Sequence, residues 1–175
     1  YTTRVREDPM YLDPTHKDLG ARLITNLEKL HLSLKLLELK SSNLDEYYSV
    51  SNKLGIPQIN TDKLQNNLFG IECNLNELNG IDFKKGCYVG QENTARIKLK
   101  DKLSKRLFPV EVIEGDLSKD NIIHHENTEL GKVLINNKFP FAIVKFKDKN
   151  FKFEKIFKCG SASVKIKKPY WFKFD

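Results

Sequence analysis

From Leu103 to the end of the chain, short apolar runs alternate with turn residues, and no other feature narrows the possible folds as far. The runs are Arg106 to Ile113, Gly131 to Asn136, Phe141 to Phe146, Phe151 to Phe157 and Ala162 to Ile166. Gly115-Asp116, Asn136-Asn137, Asp148-Lys149-Asn150 and Cys159-Gly160 break them. Strands this short at this spacing predict a small antiparallel barrel or sandwich. Closure would also protect the strand edges from pairing with other chains. The change at Leu103 therefore reads as a boundary, with an αβ region over 1–102 and a β-barrel domain over 103–175.

The first portion is α+β in character. Thr2 to Val5 and Ala21 to Ile24 read as short strands around the Pro9 and Pro14 turns. Leu27, Leu30, Leu34 and Leu37 recur at helical spacing, yet His31 to Leu37 also alternates as a strand would, so periodicity alone leaves both open. Asn43 to Leu54 is a predicted helix: Ser42 caps it with Asp45 three residues on, and Gly55 followed by Pro57 stops it. Leu44, Tyr47, Tyr48 and Ser51 share one face, so the tyrosines are expected to pack inward. The polar stretch Gln58 to Leu68 holds room for a short helix from Thr61.

Lys and Arg number 30 against 23 Asp and Glu, a net charge of +7. This favours an anionic partner such as nucleic acid, although most of the lysines read simply as a solvated surface. Cys73, Cys87 and Cys159 are too few and too far apart for a C-x-x-C metal or redox motif, and an odd number gives no disulfide framework. That composition fits a reducing compartment. No apolar run approaches the ~20 residues of a membrane helix, and the start lacks a secretory pattern. The expected location is the cytoplasm, or the mitochondrial matrix if a transit peptide belongs to a preceding segment. No metal site is expected, since His124-His125 has no further ligand at metal spacing and reads as loop.

The chemistry concentrates in Lys85-Gly86-Cys87-Tyr88-Val89-Gly90-Gln91-Glu92. Two glycines around a Cys-aromatic pair allow backbone angles and close approaches that side chains would block. A Cys nucleophile or ligand works as thiolate, which Lys84, Lys85 and the amides of a helix starting near Gly90 would favour. Cys87 is thus the candidate reactive thiol. Tyr88 either packs against a ligand ring or anchors the loop. Gln91 and Glu92 occupy a first helical turn, and Arg96 stands four residues after Glu92, where an ion pair competes with anion binding.

The extended segment Phe83 to Glu92, followed by Thr94-Ala95-Arg96, resembles the signature of the YgfZ-type folate-binding proteins. These are relatives of the glycine-cleavage aminomethyltransferase that assist iron–sulfur cluster assembly or repair. Asp18-Leu19-Gly20-Ala21-Arg22, Leu54-Gly55-Ile56-Pro57 and Leu75 to Ile81 resemble further segments of that family, so the likeness runs through nearly the whole chain. The resemblance implies a ferredoxin-like αβ region followed by a compact β-barrel, within a ring completed by a preceding αβ portion around a folate pocket. At 175 residues from Tyr1, the chain looks like such a protein without its first portion. Pro169-Tyr170-Trp171 is similar to the family's final strand. Gly70-Ile71-Glu72-Cys73-Asn74-Leu75 resembles the stretch in which an aminomethyltransferase Glu, preceding Ala-Gly-Leu, contacts the pterin, which nominates Glu72.

The resemblance implies a folate-binding accessory factor for iron–sulfur protein maturation. Its expected cofactors are tetrahydrofolate or a derivative and a transient iron–sulfur cluster. The expected partners are assembly proteins or cluster-dependent client enzymes. One alternative is a folate-dependent aminomethyl or one-carbon transferase, although the region that holds the catalytic acid of those enzymes is absent here. Another is a nucleic-acid-binding module using Tyr170, Trp171 and Phe172 as stacking platforms among lysines.

Overall fold

The computed structural model describes residues 2–5, 7–86, 89, 91–99, 103–117 and 121–173. It is an α+β chain with a three-stranded sheet, few helices and a closed six-stranded antiparallel barrel. Two compact units divide it, residues 1–50 and 51–175. No helix among the described residues is long and apolar enough to cross a membrane.

In the first unit β1 (Thr2–Val5), β2 (Asp8–Leu12) and β3 (Ala21–Leu23) form an antiparallel meander. Asp13, at the end of β2, accepts hydrogen bonds from the Thr15 amide at 2.8 Å and Arg22 Nε at 2.6 Å. The leucine-rich stretch resolves as a helix, α1 (Leu27–Leu36), because Asn26 caps it by accepting from the Glu28 amide at 2.9 Å. A side-chain cap removes the ambiguity that periodicity leaves.

Helix α2 (Leu44–Lys53) lies within the predicted span, but its cap differs. Asn43 Oδ1 accepts from the Glu46 amide at 2.9 Å, while Ser42 donates instead to the Glu46 carboxylate. Asn43 sits one residue closer to the first turn, where its oxygen reaches the third amide. Tyr47 and Tyr48 are half-buried rather than core, with ring centroids 5.8 Å apart. At the far end Gly55 has φ +73°. Its amide bonds Asn52 O and that of Ile56 bonds Ser51 O, both at 2.8 Å, closing the helix with the two reverse bonds of a Schellman motif.

The barrel runs in the order β4 (Arg106–Glu114), β7 (Phe141–Val144), β6 (Thr128–Ile135), β5 (Ile122–His125), β8 (Ile156–Cys159), β9 (Ala162–Ile166), and β9 pairs back with β4. Register shifts at Val112/Glu114, Ile123/His124 and Val133/Ile135 supply the extra twist that closure of so small a sheet requires. Two expectations are corrected here. His124 and His125 are strand residues, paired with Glu129 and Thr128, because the bulge beside Ile123 lets the ladder continue past it. Phe151 to Phe157 is a strand only from Ile156: Glu154 adopts φ +62°, which breaks an extended run, and the Phe151 and Phe157 rings stack at 5.8 Å.

Phe108, Ile123, Leu130, Ala142, Val144, Val164 and Ile166 are fully buried and fill the barrel. Phe108 meets the edges of Phe153 and Phe172, each at 5.0 Å between centroids. Residues Leu107 to Val110 of β4 are buried on both faces of the strand, whereas Glu111 to Glu114 are exposed. Leu107 points away from Phe108 into a second apolar cluster with Leu64, Ile135 and Phe141, against which Leu68 and Cys73 pack.

Candidate functional site

Residues 69–81 form a run of turns that leads into the cysteine loop and is fastened to β4. Asn74 is the fastener. Its φ is +62°, a left-handed conformation that Asn tolerates better than most residues, and its side chain is wholly buried. Asn74 Nδ2 donates to Leu107 O at 2.7 Å, and Asn74 Oδ1 accepts from Arg106 at 3.0 Å. The same guanidinium pairs with Glu77 at 2.6 Å and lies 5.5 Å from the Phe172 ring centroid, within cation–π range. The Leu107 amide donates to Glu72 O at 2.8 Å.

Glu72, nominated as a pterin contact, is half-buried, and one of its oxygens accepts from the Phe69 amide at 2.9 Å. An ionised carboxylate offers about four lone-pair sites, so acceptor capacity remains for a ligand. Asn74 stands where the resembling stretch has glycine. It keeps a left-handed backbone and turns its side chain inward, so the substitution adds no bulk on the outer side of the turn.

Cys73 is not a candidate nucleophile. Burial, with a smaller contribution from the Glu72 charge, pushes its thiol up to about 11, so it stays protonated near neutrality. Cys159 is fully buried in the barrel core.

The cysteine loop leaves the turn run after Ile81 and enters helix α3 (Gln91–Leu99). Ile81, before the cysteine segment in sequence, and Ile97, after it, both pack against the barrel core. Between them Asp82 Oδ1 accepts from the Lys84 amide at 2.8 Å, which turns the chain outward. Lys84, Lys85 and Gly86 are exposed and Val89 is fully so. Cys87, Tyr88 and Gly90 lie outside the described residues, as does the side chain of Gln91. Glu92 and Arg96 are exposed and pair with each other at 2.7 Å on the surface of α3. Among the described residues no hydrogen bond or ion pair links either of them to Glu72.

Among the described residues a Cβ at Gly86 would meet nothing within 4 Å, and its φ lies outside the left-handed range. Of the aromatic tail, Phe172 is buried and Trp171 donates from Nε1 to Leu54 O at 2.8 Å; only Tyr170 is largely exposed. Stacking on nucleic acid would need those rings free.

Asn74 and Arg106 are the residues that sequence reasoning missed. An Asn, which tolerates a left-handed backbone, standing where the resembling Glu-Ala-Gly-Leu stretch has its glycine was the available signal.

Fold and site together define an α+β chain with a closed antiparallel barrel, in which a turn run fastened to the first barrel strand precedes the glycine-flanked cysteine segment in sequence. No protein-family model matches it. Among curated proteins it is similar to the mitochondrial iron-sulfur cluster assembly factor IBA57 homolog of Dictyostelium discoideum, 34% identical over 113 residues, which is 64% of this chain and 28% of that protein. It is also similar to mitochondrial IBA57 of Mus musculus, 34% identical over 110 residues, 63% of this chain and 30% of the mouse protein. For IBA57 of Homo sapiens the figures are 34% over 102 residues, 58% and 28%. The matched stretch thus spans under a third of the length of these relatives, and the likeness is narrower than the whole-chain resemblance expected from motifs.

Proposed function

We propose that this chain works in iron–sulfur cluster assembly or repair, as an accessory factor, in the mitochondrial compartment that its relatives' names carry. The observation that supports this most is the 34% identity over 113 residues to a protein named as an iron-sulfur cluster assembly factor. Cys87 is the thiol we assign to redox exchange or to handing a cluster on. Clusters normally take four thiolates or close substitutes, and Cys73 and Cys159 are both committed to apolar packing. The remaining ligands must therefore come from an assembly protein or a client enzyme. Lys84 and Lys85 beside the thiol favour its thiolate.

Tetrahydrofolate is the cofactor we assign to the turn run, with the Glu72 carboxylate accepting pterin donors. Bound there, it would supply one-carbon or redox-active pterin chemistry next to the cysteine segment. Tyr88, Gln91, Glu92 and Arg96 are secondary contacts in this reading.

The test is restoration in cells depleted of their own factor. Supplying this protein should recover the activity of a cluster-dependent enzyme. Failure to recover it with a stably expressed chain overturns the proposal.

A further inference from the structure

The aromatic tail reaches the turn run through one side chain, Arg106. It stands at the start of β4 with its side chain only 12% exposed. One nitrogen, Nη1, donates to both Asn74 Oδ1 at 3.0 Å and Glu77 Oε1 at 2.6 Å, and both acceptors belong to the turn run. The flat face of the guanidinium lies over aromatic rings instead. Its central carbon is 5.5 Å from the Phe172 centroid and 5.9 Å from that of Phe146. A guanidinium stacked in this way is confined to a plane, so its edge donates in only a few directions. Here Asn74 and Glu77 take those directions.

Phe172 is itself firmly held. It is buried, and its ring meets that of Phe108 at 5.0 Å and those of Phe146 and Phe153 at 5.7 Å. The tail that carries it is fixed from the other side as well. Trp171 Nε1 donates to Leu54 O at 2.8 Å and the Phe172 amide to Pro169 O at 3.0 Å. Pro169 lies so close to Gly55 that a Cβ there would sit 2.6 Å from Pro169 Cγ. The turn run is attached differently. Ile71 and Ile81 pack against the barrel core, and between them the bonds to β4 are polar, made by Glu72 O, Asn74 and Glu77. The middle of the run therefore depends on where the Arg106 guanidinium is held.

Without the Phe172 ring the guanidinium is free to swing, and Asn74 and Glu77 lose their fixed donor. We propose that Phe172 is a positioning residue, which acts through Arg106 to set the turn run, and with it the Glu72 carboxylate, on the barrel. Its bearing on function rests on the assignment of the turn run to the functional site. The coupling between tail and turn run does not.

Amide hydrogen exchange on the whole chain tests this. The amides of Leu78, Gly80 and Leu107 bond to carbonyls of the turn run, whereas those of Val133 and Lys145 bond elsewhere in the barrel. Phe172→Leu keeps apolar bulk but loses the ring face, and should speed exchange of the first group about tenfold while the second stays within about twofold. Arg106→Lys keeps the charge without the flat fork and should do the same. Combining the two should add nothing further, because both break one link. Trp171→Phe removes the bond to Leu54 with Phe172 in place, and should speed the same turn-run amides by about threefold. Unchanged turn-run exchange in both tail variants would overturn the inference. So would a rise spread evenly over turn run and barrel, which is what lost core packing alone produces, or full additivity in the double variant. Failure of the cellular rescue overturns the proposed function and leaves this coupling standing.

Discussion

Asn74 donates to the carbonyl of Leu107 at 2.7 Å across 33 positions of sequence, and that bond joins the turn run before the cysteine segment to the first barrel strand. Asn74→Ala removes a buried donor and an acceptor, leaves Arg106 with Glu77 alone, and forces Ala into a left-handed backbone. The expected loss of stability is about 2–4 kcal/mol. Asn74→Gly should lose about 1 kcal/mol less, because only the hydrogen bonds go. Denaturant unfolding of the two variants measures both, and equal losses would remove backbone strain from the explanation.

Three glycines separate internal from external requirements. At Gly131 a Cβ would collide with Ile143 O, and at Gly55, φ +73°, it would sit 2.6 Å from Pro169 Cγ. At Gly86 it meets none of the described residues within 4 Å. Gly131→Ala and Gly55→Ala should lower the melting temperature clearly, whereas Gly86→Ala should stay within about 0.5 kcal/mol of the parent. Thermal unfolding of all three gives the order.

The thiols should differ in reactivity. Cys73, pushed up to about 11 by burial, and the buried Cys159 should both alkylate slowly in the native protein at neutral pH. Cys87 is expected to be labelled first. Mass spectrometry of peptides after brief iodoacetamide treatment reads this directly, and prior labelling at Cys73 would count against it.

Acid should weaken the three-stranded sheet. Burial alone would raise the Asp13 carboxyl, but the Thr15 amide and Arg22 outweigh it and hold the group below its ordinary value. A depressed carboxyl contributes stability above the unfolded value of about 4, and that contribution is lost as pH falls through the lower folded value. Asp13→Asn should be less stable than the parent at pH 7 and flatter in its dependence below about pH 4. Melting curves between neutral and acid pH check the sign.

The barrel was legible because alternation and turn residues point the same way. Gly115 and Gly160, both at breaks, do adopt positive φ. Where alternation failed as a guide, the reason was local. Phe151 is buried without strand pairing because its ring packs from a turn against Phe153 and Phe157, so an aromatic-rich run looked like a strand. His124 and His125 carry no apolar signal, and a bulge keeps them in the ladder.

The site was legible only as a segment. The residues that hold it, Asn74 and Arg106, lie 32 positions apart and meet through tertiary packing, which no local pattern encodes.

The central claim is that Cys87 carries the chain's role in cluster assembly, and matched rescue tests it most directly. Cells lacking their own factor receive the parent chain, Cys87→Ser or Cys73→Ser at equal expression, and the activity of a cluster-dependent enzyme is measured. Parent and Cys73→Ser should restore it while Cys87→Ser does not; equal restoration by all three would contradict the account.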